Sequence, residues 1–161
     1  MSKVGRVLAW VALTPIVVLV AGIGGCEARK AYYDWQVRKM CEKDGGVTVL
    51  ERVVVTPEQA ANLPKHGSFL SVAESLSARP TDPVYYTRTV KQLRDGNVEI
   101  ARSESRYMRR GENKVVATVV FYSRRGGDFP TIAHPSSFSC PAGEPVAQRI
   151  ASIYQIEEKT K

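Results

Sequence analysis

Histidine and cysteine, the side chains that most often carry catalysis and metal binding, are scarce in this chain: two of the first, three of the second. His66 and His134 stand far apart. No short paired spacing joins them to Cys41 or Cys140, so a zinc site from these four has the ligand types without the pattern. No G-x-S-x-G elbow occurs, which leaves Ser136, Ser137 and Ser139 near His134 without a hydrolase context. Arg124-Arg125-Gly126-Gly127-Asp128 lacks the Lys and the strand–loop–helix spacing of a phosphate-cradling loop. A thiol hydrolase from Cys140 with His134, or Cys41 with His66, has no recognisable nucleophile context, and a bond between the two cysteines would remove the nucleophile. Internal repeats are lacking too. The expectation is a non-enzymatic protein with no catalytic residues, no metal and no cofactor.

What the chain does have is a strong N-terminal signal. A basic tip (Lys3, Arg6) precedes an uncharged apolar run over residues 7–23, whose 17 residues approach the length that crosses a hydrocarbon core of about 30 Å. Three outcomes compete. The run is an uncleaved transmembrane helix, a lipoprotein signal or an ordinary cleaved signal peptide. Ile23-Gly24-Gly25-Cys26 resembles a lipobox, with Cys26 as the lipidated residue. For the uncleaved helix, Trp10 and the Tyr32/Tyr33/Trp35 cluster would be roughly 33 Å apart at 1.5 Å per residue, the spacing of two aromatic belts. Pro15 and Gly22, Gly24 and Gly25 are tolerated in such helices. Core packing of Tyr32, Tyr33 and Trp35 is the competing explanation. By any of these routes the lipid bilayer is an expected partner through residues 7–23, and 1–26 forms an anchor or signal segment ahead of a single domain over 27–161.

Orientation is decided by the cysteines. Lys3 and Arg6 precede the run while Arg29, Lys30, Arg38, Lys39 and Lys43 follow it, and a literal count puts the domain in the cytoplasm. A very short basic N-terminus is also how export signals begin. If Cys26 is lipidated, Cys41 and Cys140 remain as a pair; otherwise Cys26 is a spare thiol at the membrane surface. A bond between the pair persists only in an oxidising compartment. The expected location is therefore the inner membrane with the C-terminal domain in the periplasm, or a lipoprotein anchored at Cys26. Two buried reduced thiols are the alternative.

Residues 28–43 read as a helix with Tyr33, Val37, Met40 and Cys41 along its core-facing stripe. Lys30, Asp34, Arg38 and Glu42 alternate in sign at i, i+4 and predict a solvated ladder. Residues 47–55 predict one strand, with Val47, Val49, Val53 and Val55 on one side. Thr56-Pro57-Glu58-Gln59 is a helix start with a capping box. Residues 64–83 look loop-like. Three β-rich runs (84–94, 98–109 and 114–123) are separated by Asp95-Gly96-Asn97 and Arg110-Gly111-Glu112-Asn113, an antiparallel meander whose last run is central. Residues 124–143 form a long loop, and 144–158 an amphipathic helix with Val146, Ile150, Ile153 and Tyr154 on one side. The fold class is α+β.

The formal charge is +7. Arg102, Arg106, Arg109, Arg110, Arg124 and Arg125 fall on strands and turns that a meander brings near one another, a candidate patch for anionic lipid headgroups or nucleic acid. A solvated face laced with Glu99, Glu104 and Glu112 explains the same charges, and nucleic acid is not favoured as a partner. Tyr85, Tyr86 and Tyr107 serve equally well as cross-strand packing or as stacking platforms.

The run Trp35-x4-Met40-Cys41-x-Lys43-Asp44-Gly45-Gly46-Val47, with Ser123 to Asp128 and Pro135 to Pro141, resembles a group of small proteobacterial membrane-anchored or exported proteins without an assigned function. The resemblance implies a short chain with an N-terminal apolar segment and transfers no site residues. The helix-into-meander plan is similar to pilin-like subunits in architecture only, since their Gly-ended leader and fifth-position Glu are missing. The functional expectation is a membrane-anchored, envelope-exposed interaction module held by a Cys41–Cys140 bridge, with an envelope protein as partner. The alternative is a binder of anionic ligands through the arginine face.

Overall fold

The computed structural model describes residues 3–128, 135–142 and 144–157, without the side chains of residues 3–21, 23 and 144. One long helix, α1 (Lys3–Asp44), leads into β1 (Gly46–Val49), β2 (Val53–Val55) and the short α2 (Pro57–Asn62). Three two-residue strands follow, β3 (Lys65–His66), β4 (Phe69–Leu70) and β5 (Ala73–Glu74). The long strands are β6 (Val84–Arg94), β7 (Val98–Arg109) and β8 (Lys114–Gly126). The chain then forms β9 (Ser137–Cys140), α3 (Glu144–Ala151) and β10 (Tyr154–Ile156). The result is a mixed α+β fold whose main sheet is mostly antiparallel.

The meander forms where the turn residues predict it. Gly96 and Gly111 take positive φ (107° and 90°) in the two connections, a conformation in which a Cβ is strained. The main sheet runs β1-β8-β7-β6-β5, with β9 also on β8, so β8 is central. Alternation along β8 sends Val120, Tyr122 and Arg124 to one face and Ala117, Val119 and Phe121 to the other.

Those two faces are covered at opposite ends. On the first, Val37 and Cys41 of α1 bury Val98, Ile100, Val120 and Tyr122, with Tyr33, Met40, Phe138 and Cys140 packed around them. On the second, β2, β10, α2 and α3 close over Val84, Tyr107, Val116, Ala117 and Val119, with Ile153 fully buried. Each cover supplies apolar burial worth about 25 cal/mol per Å² removed from water. The remaining half of each face is left to polar or exposed side chains.

Four expectations need correction. Residues 124–143 are not one long loop: β8 runs on to Gly126, and Ser137–Cys140 form β9 paired against it. Residues 47–55 are not one strand: Leu50 and Glu51 both donate to the Val116 carbonyl (2.8 and 3.0 Å), the chain leaves the sheet there, and β2 pairs in parallel with β10. The C-terminal helix ends at Ala151: Ile153 is buried in the turn that follows, its carbonyl accepting from Val53 N at 2.7 Å, and Tyr154 begins β10 beside Val53. Residues 64–83 hold β3, β4 and β5, and β5 adds to β6 in parallel at Tyr85 and Tyr86. The capping box is present in full: Thr56 Oγ1 accepts from Gln59 N at 3.2 Å, and Gln59 Oε1 accepts from Thr56 N at 2.9 Å.

Among the described residues no helix is long and apolar enough to cross a membrane. The anchor expected over 7–23 falls almost wholly outside the described side chains, and His134 with the rest of 129–134 lies outside the described residues.

Candidate functional site

The most elaborate chemistry lies between α1 and the sheet. Cys41 sits one turn before the helix end on the stripe that Val37 also occupies. Cys140 on β9 lies opposite Tyr122 of β8, and the two cysteines are bonded across the gap with Cα atoms 6.0 Å apart. Both thiol-hydrolase pairings therefore lack a thiol in this structure. Cys26 is a free cysteine on α1, His66 is exposed on β3, and among the described residues no group of three His, Cys, Asp or Glu is placed to hold a metal.

Polar side chains flank the disulfide on both sides. Toward the helix end, the Tyr122 hydroxyl donates to Asp44 Oδ1 at 2.6 Å, and Arg102 Nε donates to the Tyr122 oxygen at 3.2 Å. Arg102 also donates to Glu104 at 2.7 Å, and Glu104 accepts from Arg106 at 2.8 Å. Burial, then the bond to Asp44, raises the Tyr122 pKa, while Arg102 and Arg106 hold Glu104 below the usual carboxylate range. Toward the helix start, Arg124 Nε and Nη2 donate to the Asp34 carboxylate at 2.7 and 3.4 Å, and Nη1 donates to Ser136 Oγ and the Gly126 carbonyl. Asp128 accepts from Ser136 N at 2.6 Å and from Lys30 at 3.2 Å, and the Ser136 amide holds its carboxyl below the usual range.

This corrects the solvated ladder. Asp34 and Lys30 reach the sheet side, and Arg38 stacks on the Phe138 ring at 5.1 Å. Asp34, Val37 and Cys41 stand at i, i+3 and i+7, so the sequence already placed Asp34 on the buried stripe; counting it with the i, i+4 charges hid it.

The six arginines do not form one surface. Arg124 is buried under α1 with its side chain 4 % exposed. Arg102 and Arg106 share its face but are matched to Glu104 and Asp44. Arg109 pairs with Glu51 and Glu112. Arg110 donates to the carbonyls of Asp82 and Arg79 and lies over the Tyr85 ring. Arg125 is exposed and sits across from Glu99, on the other face from Arg124. Tyr86 and Tyr107 pack ring to ring at 5.3 Å, and burial pushes the Tyr107 pKa up to about 12.

An open surface lies beside this junction. Tyr32 and Trp35 of α1 stack at 6.2 Å and are each 53 % exposed, whereas Tyr33 turns inward beneath Arg94. A groove of ≈ 440 Å³ runs between Trp35, Gln36 and Met40 on α1 and Leu93, Arg94 and Ile100 on the sheet. Neither the groove nor the open outer edge of β6 next to it had a sequence signal beyond a stretch, 87–94, with three cations and no carboxylate. Comparison with family models, with curated proteins and with solved structures finds no match.

Proposed function

We propose that the chain is a membrane-tethered, extracytoplasmic interaction module, in which a basic-tipped apolar helix carries a small domain locked to it by a disulfide. The observation that carries the reading is the Cys41–Cys140 bond, which joins the last turn of the tether helix to a strand 99 residues later and requires an oxidising compartment to persist. Helix α1 runs from Lys3 to Asp44 without a break, so an apolar run that stays uncleaved would lead directly into the domain-packing stripe. The charges flanking the bridge are paired within the chain, which supports a rigid junction in preference to an anion site there.

The reading is tested by fractionating cells that express the full chain, then treating spheroplasts with protease. The expected result is a membrane-fraction protein, resistant to alkaline wash, whose domain is digested from outside the inner membrane. A domain protected in intact spheroplasts, or a chain recovered in the cytosol, overturns it.

A further inference from the structure

The long strand β6 is paired along its inner edge with β7 at every residue except Leu93, but on its outer edge β5 covers it only at Tyr85 and Tyr86. Residues 88–94 are all exposed. The Tyr86 carbonyl accepts from Ser75 N at 2.8 Å, so Tyr86 points its backbone groups outward. Alternation then points the N–H and C=O groups of Arg88, Val90 and Gln92 outward as well. No strand of the described chain meets them. Bare edges of this kind accept an added strand.

Charge selects what can be added. Residues 87–94 read Thr-Arg-Thr-Val-Lys-Gln-Leu-Arg, and among the described residues neither Arg88 nor Lys91 has an ion-pair partner. Pairing with a second copy would set three cations against three cations, which guards the edge against self-association. The same charges favour a carboxylate-bearing strand. Beyond Gln92 the register with β7 slips, Leu93 has no partner in it, and Leu93 lines the groove shared with Trp35 and Met40. Val90 and Leu93 are 59 % and 42 % exposed.

We propose that the outer edge of β6 binds an extended acidic segment of a partner protein as an added strand, with a large apolar residue of that segment seated in the Trp35–Leu93 groove. This names the class of partner and rests on reading the domain as an interaction module. Its test does not depend on the compartment, so its failure would leave the tether reading standing.

The test pans a library of short peptides that mix Val, Thr and Phe with either Glu or Lys against the full chain in detergent, disulfide intact, at low and high salt. Glu peptides are expected to be retained over their Lys counterparts by about tenfold or more at low salt. The preference should reverse in Arg88→Glu/Lys91→Glu. Val90→Pro, which removes one outward N–H at an edge position, should weaken binding by about tenfold. N-methylation of alternate amides in the peptide blocks the ladder without touching the protein, and should abolish retention even if Val90→Pro disturbs folding. Failure to retain any peptide, equal retention of Glu and Lys peptides, or a Glu preference that survives N-methylation (a plain anion patch) would each overturn strand addition.

Discussion

Asp34 of α1 and Arg124 of β8, ninety residues apart, close an ion pair of 2.7 Å around a guanidinium whose side chain is 4 % exposed. The pair joins the helix to the central strand on the far side of the disulfide from Asp44 and Tyr122. Removing one partner of a buried pair leaves a charge with no compensation, which costs about 3–5 kcal/mol. Asp34→Ala should lower unfolding stability by that order in urea titrations, and Asp34→Ala/Arg124→Met should regain most of the loss. A single variant as stable as the parent would show that the helix does not depend on the pair.

The disulfide spans a sequence separation of 99 residues. In the chain-entropy account a loop of that length restricts the unfolded chain by about 4–5 kcal/mol. Cys41→Ser/Cys140→Ser should shift the denaturant midpoint down accordingly, and adding reductant to the parent should reproduce the shift while leaving the variant unchanged.

Gly45 tests the fit at the bridge itself. A Cβ there would lie 2.6 Å from Cys41 Sγ and 2.7 Å from the Cys41 carbonyl oxygen. Gly45→Ala should therefore destabilise the domain by about 1–3 kcal/mol, the range for overpacking. Gly126→Ala should also cost stability, because φ is +83° and the new Cβ runs into the Asn97 carbonyl. Gly25→Ala, with open space around it, should not, and thermal melts of the three variants separate these outcomes.

Acid should loosen the junction. Asp128 is held below the usual carboxylate range chiefly by the Ser136 amide, Glu104 by Arg102 and Glu51 by Lys114. Carboxylates with depressed pKa values stabilise the folded chain above the ordinary carboxylate range, and that contribution is lost as pH falls through and below it. The melting temperature should hold from neutral pH down to about 5 and then fall, with a shallower fall in Asp128→Asn. At the alkaline end the sign reverses. Burial raises Tyr107 to about 12, so the folded chain holds that proton more tightly than the unfolded one and loses stability as pH climbs from 10 toward 12. Tyr107→Phe should flatten that limb.

Local signals in the sequence were enough for the meander. Asp95-Gly96-Asn97 and the Gly111 turn punctuate three β-rich runs, and the apolar pattern of 115–122 marks β8 as central. The capping box at Thr56 was legible for the same reason, and the Cys41–Cys140 pair was legible by count, since setting Cys26 aside beside the apolar run leaves one pair in the domain. What was hidden depends on tertiary partners. A valine-rich stretch at 47–55 has the propensity of one strand, yet Glu51 is drawn to Arg109 and Lys114 at 2.7 and 2.5 Å and β2 finds β10 instead. Ile153 and Tyr154 fit a helical stripe by spacing but bury better beside Val53. The arginines looked like one patch because sequence alone does not say which carboxylates stand across from them. The open edge of β6 was invisible because it depends on where β5 stops.

The most direct test of the central claim is thiol accessibility in intact cells. Maleimide-polymer gel shifts, with and without reductant, are run on the full chain carrying Cys26→Ser. In denatured samples Cys41 and Cys140 should both stay unlabelled until reductant is added, which places the bridged domain in an oxidising compartment at the end of its tether. Labelling of both cysteines without reductant would mean that the pair is reduced in the cell, and would contradict an exported, disulfide-locked module.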